Sequence, residues 1–315
     1  METLFIPTMK AVATMMGLVC VGLLLKRAAI IRDEHRPLFS RLVMDLALPA
    51  LVFTTLAACK PGMEILIAVG IMLVAIAIHL VITWFIGTVL HLERPRMGAF
   101  MLVAAFGSSS TIGYALISQI FPGNSDAITD AVVISELGVG LPFILFGIMI
   151  AMYYGQNEKM PFWDHCRSYI FSPLIASLVL GLCASFILSG WENPVWDVVM
   201  SVLGLVAVSL VVFVSLGVAL MLRWIPVRSI GLLAAITVVL TLIVQPLTSL
   251  FLAGQVGLPA LDTEILVLET AMPSGMLAAI LSARYGCDGE YASALVIITS
   301  VVSLITLPLI MLLVP

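Results

Sequence analysis

Charge is scarce in this chain of 315 residues: Asp, Glu, Lys and Arg make up 10% of it, against about 25% in a soluble globular domain. That scarcity excludes a water-soluble fold. Cysteine is nearly as thin, and Cys20, Cys59, Cys166, Cys183 and Cys287 show no paired spacing, which excludes a disulfide framework and a Cys-rich zinc site and leaves them as small packing residues. His79 stands alone in an apolar run, while His35, His91 and His165 fall in or beside polar breaks, so no metal centre is expected. No Gly-x-x-x-x-Gly-Lys-Ser/Thr stretch occurs, and with it goes an ATP-driven mechanism encoded in this chain. No nucleic-acid partner and no cofactor is expected.

What is abundant is apolar sequence, 62% of the chain. A bilayer span takes about 20 mostly apolar residues, and such stretches follow one another at 5–25, 38–58, 65–90, 97–120, 127–154, 169–189, 196–222, 229–253, 265–284 and 291–314. The breaks between them are too short for a soluble domain. Met1 to Leu25 has no basic n-region and no small-residue cleavage site, so it reads as a retained first span. The lipid bilayer is therefore the chain's principal surroundings.

The basic residues are sided. All but Lys10 and Lys60 of the 14 fall in the first, third, fifth, seventh and ninth breaks or their flanks, which the positive-inside rule places in the cytoplasm. Both termini then face outward from a cell membrane, as an even number of spans requires. Trp84, Trp163, Trp191, Trp196 and Trp224 sit near span ends, where an interfacial aromatic belt belongs. No Lys or Arg lies deep in a span, so neutralisation of a bound anion by a basic side chain is not expected.

Each half opens with a proline near the start of a span, Pro7 and Pro173, and carries a broken polar span in fourth position. Five crossings are an odd number, so a second copy fused behind the first inserts upside down. The expectation is an all-α membrane protein of ten transmembrane helices in two inverted five-helix repeats, 1–154 and 169–315, joined by a cytoplasmic linker at 155–168. Such an architecture puts a substrate site near the midplane, where paired discontinuous helices cross, and supports alternating access.

The two broken spans carry the chemistry. The fourth contains Gly107-Ser108-Ser109-Ser110-Thr111-Ile112-Gly113 and the ninth Glu269-Thr270-Ala271-Met272-Pro273-Ser274-Gly275. Serine runs bond locally to backbone and weaken helix, and Pro273 removes a donor and clashes with the preceding turn. Both spans should unwind, freeing N–H and C=O groups to bind a solute or ion; one such segment alone would read equally as a plain kink with small residues for packing. Three carboxylates lie within spans, Asp45, Glu136 and Glu269. A charge at that depth costs about 2.5–3.5 kcal/mol on insertion scales, so each needs a proton, a cation or a buried partner. Glu269, four residues before Pro273, is placed to take a proton, to hold a cation with freed carbonyls, or to bond to the broken backbone. Glu136 divides between a coupling role and an internal hydrogen bond. Asp45, close to Arg41 and four residues before Pro49, reads as half of a local ion pair.

Together these residues resemble the auxin efflux carrier family, in the bile/arsenite/riboflavin transporter superfamily. The resemblance runs through Leu46-Ala47-Leu48-Pro49-Ala50-Leu51-Val52-Phe53, the polar stretch ending in Gly113, Glu269 to Ser274, Tyr285 with Ala292-Ser293, and Thr306-Leu307-Pro308. It implies a fold like that of bile-acid sodium symporters and sodium/proton antiporters, with crossed fourth and ninth helices. It implies transport of a small organic anion, a malonate-like dicarboxylate or an auxin-like acid, with H+ or Na+ as the co-transported ion where there is one. By position, Ser108, Ser109, Ser110 and Thr111 with Met272, Pro273 and Ser274 would line the crossing, Pro49 would border the cavity, and Glu269 would lie beside it. Related sequences commonly carry Asn near Ser108 and Pro near Ala115, and this chain has neither. A homodimer is compatible with this reading.

Three other classes fit less of the sequence. A ligand-binding membrane sensor that keeps the fold would want an output domain, an intramembrane enzyme a convergent nucleophile and base, and a channel an open pore rather than paired broken helices. The orientation is directly testable. Alkaline phosphatase fused after Pro315 is expected to be active in bacterial cells, and green fluorescent protein at the same position dark; the reverse pattern would put the C-terminus in the cytoplasm.

Overall fold

The computed structural model describes residues 5–58, 63–155, 167, 171, 173–187, 193–221 and 231–314. Helix accounts for the architecture: α1 (Phe5–Arg27), α2 (Arg36–Arg41), α3 (Leu48–Ala58), α4 (Met63–Val89), α5 (Arg94–Ala105), α6 (Tyr114–Ile120), α7 (Ser125–Ser135), α8 (Ile148–Tyr154), α9 (Pro173–Ile187), α10 (Pro194–Val208), α11 (Leu210–Met221), α12 (Gly231–Val239), α13 (Gln245–Val256), α14 (Ala260–Thr270), α15 (Met276–Tyr285) and α16 (Gly289–Ile310). Among the described residues there is no strand, and one antiparallel bridge joins Gly107 to Ser274.

Among the described residues six stretches are long and apolar enough to cross a membrane: Phe5–Arg27, Glu64–Val89, Ser125–Tyr154, Pro194–Gly217, Gly231–Val256 and Gly289–Ile310. They coincide with six of the spans expected from sequence. The expected spans at 97–120 and 265–284 are instead divided into α5 with α6 and α14 with α15, because each is broken near its centre. That at 38–58 is interrupted by a π turn, and that at 169–189 lies partly outside the described residues. So do Lys60, Lys159, Arg223, Arg228, Cys59, Cys166, His165, Trp163, Trp191, Trp224 and most of the expected linker 155–168.

Proline explains much of the local irregularity. A proline removes its own N–H and pushes its ring at the carbonyl four residues back, and a widened π turn relieves both. Leu42–Ala47 precedes Pro49, Glu136–Gly140 precedes Pro142, and Leu240–Val244 precedes Pro246. Helix ends use short polar caps: the Asn124 side chain accepts from the N–H groups of Asp126 and Ala127, that of Asn193 from Val195, and that of Asp288 from Tyr291. Gly257 and Gly286, at φ 71° and 79°, close α13 and α15 in the left-handed conformation that glycine reaches without a Cβ penalty.

The segments pack in two groups. α3 lies along α9 and α10, and α1 along α11, which also meets α2. The remaining segments form the second group, in which α4 packs against α5, α7, α13 and α14, and α15 against α5, α8 and α16. α1 touches both α6 and α16, and α3 touches α7, so the groups meet along these faces. Apolar side chains on the outside, such as Leu205 and Val208 on α10 and Phe85 on α4, are exposed and suited to lipid. Inside the second group, His79 is fully buried, with Nδ1 3.1 Å from the Ala75 carbonyl and Nε2 3.1 Å from the Leu240 carbonyl of the π turn. The basic ends are tied as well: Arg96 pairs with Asp288 at 3.1 Å and Arg94 donates to the Tyr153 carbonyl at 2.7 Å. Cys287, in the loop beside them, is buried; burial first, then Asp288, push its thiol up to about 11, which leaves it an inert packing group.

Small residues set the closest helix approach, as they commonly do in membranes. A Cβ on Gly22 of α1 would lie 2.6 Å from the Ala219 Cβ of α11, whereas one on Gly204 of α10 would meet nothing within 4 Å. Gly22→Ala should therefore lower stability by about 1–3 kcal/mol through overpacking. Gly204→Ala should raise it by up to about 1 kcal/mol through helix propensity. Melting temperatures of the two purified variants in detergent check both signs.

Candidate functional site

α5 ends at Ala105 because Phe106 turns extended (φ −118°, ψ 110°), and Ser108 begins the next segment at φ −89°, ψ 47°. α14 ends at Thr270, and Gly275, extended at φ −72°, ψ 136°, begins α15. The two gaps lie against each other. The Ser108 N–H donates to the Pro273 carbonyl at 2.7 Å and the Gly275 N–H to the Phe106 carbonyl at 3.0 Å, so each broken span satisfies part of the other's backbone. The approach is close: a Cβ on Gly275 would lie 3.2 Å from the Gly107 carbonyl oxygen, tight enough that the backbone opposite would have to give by a few tenths of an ångström.

Neighbouring helices add three more bonds. Thr241 and Gln245, on either side of the end of the π turn before Pro246, donate to the Ala104 and Ala105 carbonyls at 3.2 and 3.4 Å, and the Ser274 N–H donates to the Thr299 hydroxyl at 3.3 Å. Sequence reasoning missed all three side chains. Their only signal was a buried polar residue in an apolar run, which by itself does not name its partner.

A polar cluster surrounds the crossing. The hydroxyls of Ser108 and Thr111 bond to each other, Ser135 donates to Ser109 at 2.7 Å, and Tyr114 donates to a Glu136 carboxylate oxygen at 2.8 Å. Glu269 is 1% exposed and Glu136 2%, and the two carboxyl groups interact electrostatically with each other and with Tyr114. Glu269 lies against Gly113, where a Cβ would approach Oε2 to 2.8 Å. Among the described residues neither Glu269 oxygen has a hydrogen-bond partner. An unpaired buried charge costs several kcal/mol, so a bare carboxylate at Glu269 would be costly.

In front of the crossing is a cavity of about 580 Å³. Ser108, Ser109, Ser110 and Thr111 line it, as does the start of α15 from Gly275 to Ala279, with Phe106 and Phe143 as an edge-to-face aromatic pair 5.1 Å apart on its wall. Met272, Pro273 and Ser274 are buried behind this surface, and Pro49 is half-buried in α3; none of the four lines the cavity. Asp45 is exposed and, among the described residues, makes no ion pair with Arg41. The widened turn over Leu42–Ala47 breaks the four-residue register that the local pair needed. Arg41, which is exposed, is among the residues that line the cavity. Among the described residues no group of three His, Cys, Asp or Glu side chains is placed to hold a metal ion.

Comparison with known sequences points the same way. The profile of the family described as membrane transport protein matches residues 7–311. An uncharacterized transporter of Methanothermobacter thermautotrophicus is 26% identical over 97% of this chain and 98% of its own length, and an uncharacterized transporter of Methanocaldococcus jannaschii is 24% identical over 96% and 97%.

The cluster makes a stability prediction. Tyr114→Phe removes the donor to Glu136 and leaves a buried acceptor unmade, at a cost of about 1–3 kcal/mol. Ser118→Ala, which loses a hydroxyl bonded 2.9 Å from the local Ala115 carbonyl, should change little. The shift in detergent melting temperature of each variant checks this contrast.

Proposed function

This chain belongs to the membrane transport protein family, the auxin efflux carriers that its motifs resemble, and we propose that it carries a small organic anion, a malonate-like dicarboxylate or an auxin-like acid, by alternating access. The membrane transporter assignment comes from the family. The substrate class rests on one observation above all: two broken helices paired through their backbones beside a cavity, with Gly275, Met276 and Leu277 at the start of α15 on its wall. The first N–H groups of a helix have no intrahelical acceptor and carry positive potential, so that end favours an anionic group.

In this reading the segments form ten spans: α1, α2 with α3, α4, α5 with α6, α7 with α8, α9, α10 with α11, α12 with α13, α14 with α15, and α16. They fall into inverted repeats 1–154 and 169–315 joined by the cytoplasmic linker 155–168. The protein lies in the cell membrane with both termini outside, as a monomer or a homodimer. The group containing the crossing moves against the group containing α1 and α3, exposing the site to each side in turn. Ser108, Ser109, Ser110 and Thr111 contact the substrate directly. Met272, Pro273, Ser274 and Pro49 hold the crossing and its flank in shape. Glu269, with Glu136 beside it, takes up the coupling H+ or Na+, and Asp45 is the third candidate for that role.

Reconstituted protein should take up or exchange radiolabelled mono- and dicarboxylates in proteoliposomes, with flux that responds to imposed proton, sodium or voltage gradients. A panel without gradient-sensitive or exchange flux would count against carriage of organic anions. Glu269→Gln should abolish ion-driven accumulation while leaving substrate counterflow. Full accumulation by that variant would make Glu269 a structural carboxyl only.

A further inference from the structure

Arg41 is the one ionisable side chain among the described residues that line the cavity. The rest of the wall is apolar or neutral: Phe39 and Val43 on its own strand of chain, Phe106 and Phe143 opposite, and the serines of the crossing. Arg41 is exposed, and no carboxylate among the described residues pairs with it; Lys26 holds Asp33 at 2.8 Å, Arg32 approaches Glu34, and Asp45 stays apart. A guanidinium is charged at every working pH and presents donors in a planar fork that matches a carboxylate. Set in a low-dielectric wall without a counter-ion, such a charge focuses the field of the whole cavity.

The same cavity is lined by α15 along one flank, from Gly275 at its start to Ile280 and Ala283. Gly275 leads it with no side-chain cap, its own N–H turned to Phe106, and Met276 and Leu277 follow on the cavity wall. Arg41 and this flank of α15 therefore border a common space of about 580 Å³, large enough for an organic acid. They also belong to different helix groups: Arg41 ends α2, which packs on α11, and α15 packs on α5, α8 and α16. A ligand touching both would bridge the parts that alternating access separates.

Resting on the anion-carrier reading above, we propose that Arg41 is the specificity-determining residue of this cavity: it supplies the counter-charge that admits an organic anion and rejects cations. The neutral crossing residues orient the substrate, and Arg41 decides the sign of its charge. The fork geometry also makes lysine an incomplete replacement.

Two measurements on the full chain test this, one of them independent of the natural substrate. In a cysteine-free background carrying Ser110→Cys, the detergent-purified protein is reacted with the anionic reagent sulfonatoethyl methanethiosulfonate and with its cationic trimethylammonium counterpart. The anionic-to-cationic rate ratio is expected to fall roughly tenfold in Arg41→Gln and to stay near the parent value in Arg41→Lys. In proteoliposomes, uptake of radiolabelled malonate or indoleacetate by the parent chain should drop at least roughly tenfold in Arg41→Gln and return in part in Arg41→Lys. An unchanged thiol rate ratio, or unchanged uptake, in Arg41→Gln overturns the assignment of Arg41 and leaves the carrier reading standing. A parent chain that takes up neither acid nor any other carboxylate in the panel overturns the carrier reading, and this assignment falls with it.

Discussion

Hydrocarbon offers no hydrogen bonds, so every backbone N–H and C=O that leaves a helix inside the membrane must find its partner within the protein. This chain breaks two helices within apolar sequence and pairs the breaks with each other. The bonds from Ser108 to Pro273 and from Gly275 to Phe106 are the centre of the arrangement. Thr241, Gln245 and Thr299 are drawn in from the surrounding helices to take the groups that the pairing leaves over. The π turn before Pro246 is part of the same solution, since it sets Thr241 and Gln245 toward the end of α5 and leaves the Leu240 carbonyl within reach of His79.

The crossing has two unlike sides. On one, hydroxyls and the start of α15 meet an apolar cavity; on the other, Glu269, Glu136 and Tyr114 are sealed from solvent. Glu136 is satisfied by the Tyr114 phenol, and Glu269 is pressed against Gly113 without a partner among the described residues. The two carboxyls thus differ in their hydrogen bonding within the same buried cluster. In the proposed carrier reading, a solute site and an ion site would share one pair of backbone breaks and be physically linked, because a shift of either break moves the groups on both sides.

Much of this was legible in the residues. Charge scarcity and apolar run length put the chain in a membrane, since the penalty for placing charge in lipid does not depend on fold detail. The serine run from Ser108 and the proline at 273 marked both breaks, because each weakens a helix by chemistry local to the chain. Glu269 stood out for the same reason: a carboxylate four residues before a proline, deep in a span, is costly wherever it packs.

What lay beyond the sequence was contact between distant segments. That the breaks at Gly107 and Ser274 face each other, that Thr241 and Gln245 reach the end of α5, and that Met272 to Ser274 lie behind the cavity rather than on it are products of how helices pack. Arg41 shows the difference most sharply. Its position near the end of a span read as a cytoplasmic flank with Asp45 as its partner, yet the π turn between them and the packing of α2 on α11 set its charge on the cavity wall. The sequence by itself determined where the helices must be apolar and where they must break, because those are properties of short segments in hydrocarbon. Only the tertiary structure decided which side chains share a space, because that depends on the approach of chains 100 residues or more apart.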